Sequence, residues 1–353
     1  MSAMSATSVT ARRLPCRTLL LALLTSLLLP TFALSIQQPT NGAHHNKQYR
    51  FAVLLAGDHR TPRIDGFKQE MARHGDQYGV HHVYTFFNAE GNSSQLLPLA
   101  RQIVASHPDV AIAAGGIEAD ALKLATDEAP LPVVFLFSAS CVERGQIESI
   151  RHPGGNLTGI DSNDTVLTEK RLWYLHKMLP GIKHVTCFSI PTIGSSAESA
   201  VLAVEAGKKL GLEVRIIDLE SKDELKSKAQ QLVRRDNTDA ILLFPCGPIH
   251  QVFGEALAPL ATELGIPIFG DFDDSLAKGA FAHYGSLQSA DGAQAARLAI
   301  KILHGASPAD IPVEIPQHYE LVLNRSMIER LKLNLPPQIW RLADRIVDAA
   351  PAF

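Results

Sequence analysis

Short apolar runs alternate with amphipathic segments along most of the chain, at intervals typical of alternating strands and helices. In the first half, these runs have strand length and no internal polar alternation, as in strands buried on both faces of a parallel sheet. They span residues 51–56, 83–87, 110–114 and 132–137. Four such strand–helix units predict one doubly wound α/β lobe.

A glycine-rich stretch at residues 152–161, His-Pro-Gly-Gly-Asn-Leu-Thr-Gly-Ile-Asp, interrupts this alternation before it resumes. Its glycines permit a sharp turn, and the residues from Asn156 onward suit a short extended segment. We interpret the stretch as the first link between two α/β lobes with a cleft between them. The alternative is an ordinary surface loop inside one large sheet.

The second half repeats the pattern of the first. A helix is predicted at residues 165–178, and strands are predicted at 184–190, 214–219, 240–244 and 267–269. A strand at residues 281–284 is expected to return the chain to the first lobe. A helix at residues 289–304 would then pack there, and a last strand follows at residues 319–323.

The N-terminal residues differ in composition from the rest. Arg12, Arg13 and Arg17 precede an apolar run at residues 19–29, and Pro30 and small residues follow it. This order predicts a cleavable signal peptide over residues 1–35, then a flexible leader over residues 36–48. An uncleaved anchor is the alternative. Cys16 precedes the apolar run, so it is not placed to carry a lipid, and a soluble exported protein is expected.

Charge and cysteine content exclude several classes of partner and site. Lys and Arg number 33 against 36 Asp and Glu, and the net charge of −3 gives no reason to expect nucleic acid or an anionic membrane as partner. Cys141, Cys187 and Cys246 form no C-x-x-C pair and lie in or after apolar runs. They are expected to be small buried hydrophobic residues, with one disulfide and one free thiol as the alternative.

Motifs of enzymes and metal sites are missing from the sequence. We find no G-x-G-x-x-G after the first strand, and no G-x-x-x-x-G-K-[ST], H-E-x-x-H or G-x-S-x-G. Among 14 histidines, His81 and His82 are neighbours that would point to opposite faces of a strand. The sequence therefore predicts no cofactor, no metal site and no enzymatic activity.

Ligands of open parallel sheets bind beyond the carboxyl ends of the strands, which selects the loops there. An acidic group after one predicted strand, Asp271, Asp273 and Asp274, could hold a ligand ammonium group, or simply cap a helix. Aromatic side chains near strand ends could stack on a flat ligand, although most aromatic residues in such places belong to the core. They are Phe86, Phe137, Phe244, Phe272 and Tyr284.

Residues 153–159 resemble the P-G-G-N-x-T-G signature of a family of periplasmic substrate-binding proteins of ABC transporters, the tryptophan/tyrosine type. Further similarity occurs in order along the chain. It covers Gly66-Phe67, Lys170-Arg171-Leu172, Tyr284-Gly285, residues 302–314, residues 319–324, Leu335-Pro336-Pro337 and Ala343-Asp344.

The resemblance implies a type 1 periplasmic-binding fold, in which two doubly wound lobes joined by three hinge crossings close on a solute. The third crossing is expected at residues 317–321. The first lobe would comprise residues 49–158 and 285–317, and the second residues 159–284 and 318–347. Ser140-Cys141 stands where the family tends to have Asp-Pro, and residues 115–117 depart from its Gly-Thr-Pro, so aromatic amino acids do not transfer directly as ligands.

Our leading hypothesis is an exported, monomeric solute receptor that closes on a small polar or amino-acid-like ligand and delivers it to an ABC permease of the inner membrane. The alternatives are a periplasmic sensor that docks on a membrane receptor without transport, and an exported hydrolase using Ser140 with His59. The predicted ligand residues are expected to form hydrogen bonds rather than to catalyse. They are Asp58, Thr61, Gly116, Ser138 and Ser140 in the first lobe, and Thr192, Cys246, Asp271 and Tyr284 in the second.

Overall fold

A computed structural model describes residues 48–78, 80–127, 129–351 and 353. The predicted signal peptide and nearly all of the predicted leader lie outside these residues, and Gln48 already begins the first strand. Within the described residues, no helix is both long and apolar enough to cross a membrane.

The first lobe contains a parallel sheet of five strands in the order β2-β1-β3-β4-β5. Every strand predicted for this lobe is present. The elements are β1 (Gln48–Leu55), α1 (Thr61–Tyr78), β2 (His81–Asn88), α2 (Leu96–Ala105), β3 (Val110–Ala113), α3 (Gly116–Ala125), β4 (Val133–Ser138) and β5 (Leu157–Asp161).

The second lobe contains a sheet of seven strands in the order β12-β11-β10-β9-β8-β6-β7, parallel except for the antiparallel pair β10–β11. Its elements begin with α4 (Leu167–Met178), β6 (His184–Ser189), α5 (Gly194–Leu210), β7 (Glu213–Asp218), α6 (Leu225–Leu232), β8 (Ala240–Leu242), α7 (Gly247–Ala256), α8 (Ala258–Glu263), β9 (Ile268–Gly270) and β10 (Ala282–Ser286). After α9 (Gln288–Leu303) come β11 (Tyr319–Asn324), α10 (Arg325–Arg330), α11 (Pro337–Leu342) and β12 (Arg345–Val347).

Both faces of each sheet are covered, which explains the continuous apolar runs in the sequence. In β1, Phe51 and Val53 pack in one buried cluster with α1 and α9, whereas Ala52 and Leu54 pack in another with α2 and α3. The second sheet is likewise covered by two buried clusters. Two separate sheets are present, so the alternative of one large sheet is wrong.

The glycine-rich stretch belongs to the first sheet rather than to the hinge itself. Residues 157–161 form β5, which pairs with β4, and the Asn156 amide donates to Leu131 O at 2.7 Å. The crossing to the second lobe therefore follows at residues 162–166, and the predicted boundary at residue 158 falls inside a strand. The boundary at residue 284 likewise falls inside β10, which extends to Ser286.

Two other crossings lie side by side near the first. Leu287 follows β10, and its N–H donates to the carbonyl of His318 at 3.0 Å, in the segment that leads into β11. Glu314 pairs with the backbone of Gly159 and Asp161. The segment expected to form the third crossing, residues 317–321, leads into β11, and α9 packs on α1.

Two glycines allow α1 and α9 to touch backbone to backbone. A Cβ atom on Gly66 would overlap the carbonyl oxygen of Ser289, and one on Gly292 would overlap the carbonyl oxygen of Arg63. This contact fixes the first turn of α9 against the first turn of α1. Both turns carry side chains of the site described below.

We predict that Gly292→Ala lowers the free energy of unfolding by about 3 kcal/mol, because the added methyl group forces two packed helix backbones apart. Urea denaturation followed by circular dichroism measures this change. Gly181→Ala is the matched control, since Gly181 is exposed with open space around its Cβ position. Equal stability of the two variants would contradict the close contact.

Candidate functional site

A small cavity lies between the two sheets, beside the hinge crossings. Its volume is about 10 Å³, which is room for about one water molecule. Both lobes and the crossings contribute to its wall. The lining residues are Arg63, Phe137, Asp164, Asp271, Phe272, Asp273, His283, Gly285, Ser286 and Gln288.

Arg63 supplies a positive charge from the first turn of α1. Its guanidinium lies 3.8 Å from the ring centroid of Phe137, and its Nη1 donates to Gln288 Oε1 at 3.3 Å. Nε lies 3.5 Å from Asp291 Oδ2, but it has no hydrogen-bond acceptor among the described residues. Burial lowers the pKa of Arg63, and an arginine guanidinium keeps its charge in proteins.

Asp164 supplies a carboxylate from the first hinge crossing. Arg171 Nη2 donates to Asp164 Oδ1 at 2.5 Å, and the side chains of both residues are almost completely buried. Burial raises the pKa of Asp164, and the charge and hydrogen bond of Arg171 oppose that rise. The second oxygen, Oδ2, has no partner among the described residues.

Asp271 supplies a second carboxylate from the loop after β9. Its Oδ1 accepts hydrogen bonds from His250 Nδ1 at 2.8 Å, Ser275 Oγ at 2.9 Å and the Phe272 N–H at 3.0 Å. Burial alone would raise the pKa of Asp271, but the charge and hydrogen bond of His250 outweigh it and lower the pKa. Asp271 Oδ2, in contrast, accepts no hydrogen bond from a described residue.

A third carboxylate, Asp291, lies in the first turn of α9. Its Oδ2 accepts from Ser286 Oγ at 2.6 Å, whereas Oδ1 is buried without a partner in the described part of the chain. Burial raises the pKa of Asp291 to about 6, against the opposing charge of Arg63.

His283 faces the cavity from β10. The side chain is buried, and neither ring nitrogen has a hydrogen-bond partner among the described residues. Burial, reinforced by the charge of Arg171, lowers the pKa of His283 to about 3, so the ring is neutral at physiological pH.

Buried polar atoms without partners are rare in proteins because each one costs free energy of desolvation. Here several such atoms, of both charge signs, belong to residues in or next to one cavity. They are Arg63 Nε, Asp164 Oδ2, Asp271 Oδ2, both ring nitrogens of His283, and Asp291 Oδ1. Such an arrangement fits a ligand that carries both hydrogen-bond donors and acceptors.

A family model described as "ABC transporter substrate binding protein" matches residues 50–347 of the chain. This protein belongs to the ABC transporter substrate-binding family. A curated relative, the "Tyrosine-binding protein" of Clostridioides difficile (strain R20291), is 24% identical over 292 residues, which cover 81% of this chain and 82% of the relative.

Solved structures of similar fold agree with this assignment. One is an ABC domain in complex with L-Trp from Streptococcus pneumonia, with a TM-score of 0.74, 20% identity, and coverage of 85% of this chain and 100% of the other. Another is the ligand-free, open structure of a substrate-binding protein with adhesive properties from Clostridium difficile, with a TM-score of 0.68, 20% identity, and coverage of 86% and 100%. Both support two α/β lobes of the type 1 periplasmic-binding kind.

Among the predicted ligand residues of this substrate-binding protein, Asp271 lines the cavity. Two others do not have free side chains in the cleft. Ser138 is buried and donates to Gln146 Oε1 at 2.7 Å. Cys246 lies in a hydrophobic cluster at the start of α7, where burial raises the pKa of its thiol.

Tyr284 lies on the opposite face of β10 from the cavity. Adjacent strand residues point to opposite faces, so His283 and Gly285 line the cavity, whereas the Tyr284 ring packs 4.9 Å from that of Tyr174. Its ring also lies 6.1 Å from that of Tyr319. The predicted residue therefore lies on a strand of the cavity wall, with its side chain on the other face of the sheet.

The remaining predicted residues lie at strand ends but outside the cavity wall. Asp58 accepts from Asn88 Nδ2 at 3.0 Å and borders a separate, open depression of about 460 Å³. Thr61 Oγ1 donates to the carbonyl of Asp58 at 2.6 Å. Gly116 begins α3, Ser140 has a positive φ of 55°, and Thr192 is exposed.

Of the predicted aromatic residues, some line the cavity and others do not. Phe137 and Phe272 both line the cavity and meet edge to face, with ring centroids 6.3 Å apart. Phe244 is core, and Phe86 is 46% exposed on β2.

The three cysteines are buried and free, so the disulfide alternative is wrong.

Sequence reasoning missed Arg63, Asp164, His283 and Asp291. Asp164 follows β5, but placing the crossing at Asn156 hid that strand end. His283 was one residue away from the predicted Tyr284. Arg63 and Asp291 lie in the first turns of helices, where a charged residue usually indicates only an exposed face.

For the hydrolase alternative, the side chain of His59 lies outside the described part of the chain.

We predict that His283 makes stability depend on pH. In the unfolded chain its pKa is about 6.5, so below that pH the unfolded state takes up a proton that the folded state does not. Its contribution to stability is present above pH 6.5 and is lost as the pH falls toward 3, the folded pKa.

His283→Gln should therefore reduce, by about 2 kcal/mol, the fall in free energy of unfolding between pH 7 and pH 5. Urea denaturation at the two pH values measures it. His152→Gln, at an exposed position, serves as the control. An unchanged pH dependence in His283→Gln would show that the imidazole titrates normally in the folded protein.

Proposed function

We propose that this substrate-binding protein is exported and holds an amino-acid-like zwitterion between its lobes for delivery to an ABC permease. One observation carries the proposal. Buried carboxylate oxygens and a buried guanidinium nitrogen, all without partners among the described residues, lie in or beside the interlobe cavity.

The carboxylates suit the ammonium group of the ligand. An ammonium has three N–H donors, and Asp164, Asp271 and Asp291 each retain one bare oxygen. In each case the other oxygen already accepts a hydrogen bond from the protein. This leaves the carboxylate oriented, with acceptor capacity that the fold does not use.

The opposite charge suits the carboxylate group of the ligand. Arg63 is buried, and Nε donates to no acceptor in the described residues. Arginine is well suited to planar carboxylate recognition in a desolvated site. Phe137 and Phe272, which meet from opposite lobes, offer apolar surface to the ligand side chain. The names of the tyrosine-binding relative and the L-Trp complex support the same ligand class.

Entry of such a ligand requires the lobes to separate. The volume of the cavity is enough for about one water molecule, much less than an amino acid needs. Three adjacent crossings form a hinge about which the lobes could rotate, and a ligand that bridges the lobes would stabilise the closed population. Release to a permease would then accompany reopening.

Export rests on the N-terminal basic and apolar residues, which predict a signal peptide. The permease partner is what membership of the family implies. A monomer remains our expectation.

The test compares three related probes by isothermal titration calorimetry. We expect L-tyrosine to bind, and tyramine and 3-(4-hydroxyphenyl)propionate, which lack the carboxylate and the ammonium respectively, to bind at least 100-fold more weakly. The reason is that each analogue leaves buried polar atoms of the site without a hydrogen-bond partner. Equal affinity for all three, or no binding of any, would contradict the proposal.

Substitutions separate the two halves of the site. Arg63→Gln should weaken L-tyrosine binding by roughly 100-fold, since a charge-assisted hydrogen bond is lost, and Asp291→Asn by about 10-fold. Asp65→Asn, on the exposed face of the same helix as Arg63, is the matched control. An effect of Asp65→Asn as large as that of Arg63→Gln would point to bulk electrostatics rather than to this site.

A further inference from the structure

We infer that His250 is a positioning residue that fixes the Asp271 carboxylate for recognition of the ligand ammonium. The inference rests on the proposed function and deepens it. It names the group on which discrimination between ammonium-bearing ligands and neutral analogues depends.

His250 lies in the first turn of α7, outside the cavity wall but directly behind it. Its Nδ1 lies 2.8 Å from Asp271 Oδ1, and its Nε2 lies 2.8 Å from Asp274 Oδ1. The ring also packs edge-on against Phe272, with centroids 5.0 Å apart. One imidazole thus contacts two residues of the cavity wall, Asp271 and Phe272.

Two carboxylates favour the protonated form of the ring. An ionised carboxylate only accepts hydrogen bonds, and each ring nitrogen lies 2.8 Å from a carboxylate oxygen. Burial lowers the pKa of His250, but the charges and hydrogen bonds of Asp271 and Asp274 outweigh it and raise the pKa to about 9, so the ring is an imidazolium near neutral pH. Lys278 Nζ, 3.0 Å from Asp274 Oδ2, neutralises the outer carboxylate, and it also lies 3.0 Å from His250 Nε2. The imidazolium therefore remains available to balance the charge of Asp271.

This arrangement orients Asp271 as well as neutralising it. The Oδ1 atom is saturated by His250, Ser275 and the Phe272 N–H, and Oδ2 is left bare. Of these three donors, only the histidine side chain brings a formal charge. Without it, Oδ1 would keep only two neutral donors, so the carboxylate would be held less firmly and would take up a proton more readily, and it would hold an ammonium less well.

A purely structural role for His250 predicts a different result. If the histidine only attached α7 to the loop after β9, its loss would weaken all ligands alike through a looser lobe. A positioning role predicts a loss confined to ligands that carry an ammonium. The ratio of two dissociation constants separates these roles.

The experiment measures binding of L-tyrosine and 3-(4-hydroxyphenyl)propionate to the wild type and to three variants by calorimetry. Asn places its amide nitrogen where Nδ1 stood, facing Asp271, whereas Gln places it near Nε2, facing Asp274. We expect His250→Ala and His250→Gln to lose roughly 100-fold in L-tyrosine affinity, and His250→Asn only about 10-fold. Affinity for 3-(4-hydroxyphenyl)propionate should change less than threefold in every variant. His152→Asn, an exposed histidine, is the control.

The possible outcomes distinguish failure of the proposed function from failure of the role inferred for His250. If the wild type does not prefer L-tyrosine, the proposed function fails, and this inference with it. If it does prefer L-tyrosine but the variants weaken both probes equally, or Asn rescues no better than Gln, the inference alone fails. Loss of folding in all three variants, seen by circular dichroism, would make His250 structural and also overturn the inference.

Discussion

The buried guanidinium of Arg171 holds together the segments from which the site is built. Its Nη2 donates to Asp164 Oδ1 and to the carbonyl of Asp271, at 2.5 and 2.9 Å, and its Nε donates to the carbonyl of Tyr284 at 2.8 Å. The first hinge crossing, the loop after β9 and strand β10 therefore meet at one side chain. A buried ion pair is weak evidence for stability, but removing one partner is costly because the other is left buried and charged. Here the pair also leaves one oxygen of Asp164, a residue of the cavity wall, without a partner among the described residues.

A second constraint supplies the opposite charge. Because Gly66 and Gly292 let α1 and α9 meet backbone to backbone, the first turns of both helices lie together at the cleft. Arg63 and Asp291 come from these turns and face each other 3.5 Å apart. The candidate site therefore combines carboxylates from the first hinge crossing, the loop after β9 and α9 with the guanidinium of Arg63 from α1. In the proposed function, a zwitterion supplies partners for the bare carboxylate oxygens and for Arg63 Nε at once, whereas a simple cation or anion supplies them for only one kind of atom.

Much of the fold follows from the sequence, because the features that encode it are local and repeated. The apolar run of β1 and the amphipathic pattern of α1 are each visible within a few residues, and both lobes use the same pattern. Asp271 was predicted because it follows a strand directly, and it lines the candidate cavity. Which face of β10 lines the cavity could not be predicted, since one residue of register separates His283, in the cavity wall, from Tyr284, behind the sheet. Arg63 and Asp291 depend on how two helices distant in sequence cross, which no local pattern encodes. Cys246 follows a strand, as predicted ligand residues should, but its side chain turns into the core.

If the buried, half-satisfied charges at the hinge bind a zwitterion, a crystal structure of the protein with L-tyrosine should show it. We expect the ligand nitrogen within about 3 Å of the bare oxygens of Asp164 and Asp271, and the ligand carboxylate within about 3 Å of the Arg63 guanidinium. A ligand bound instead against Asp58 and Thr192, with those three side chains unchanged, would contradict it.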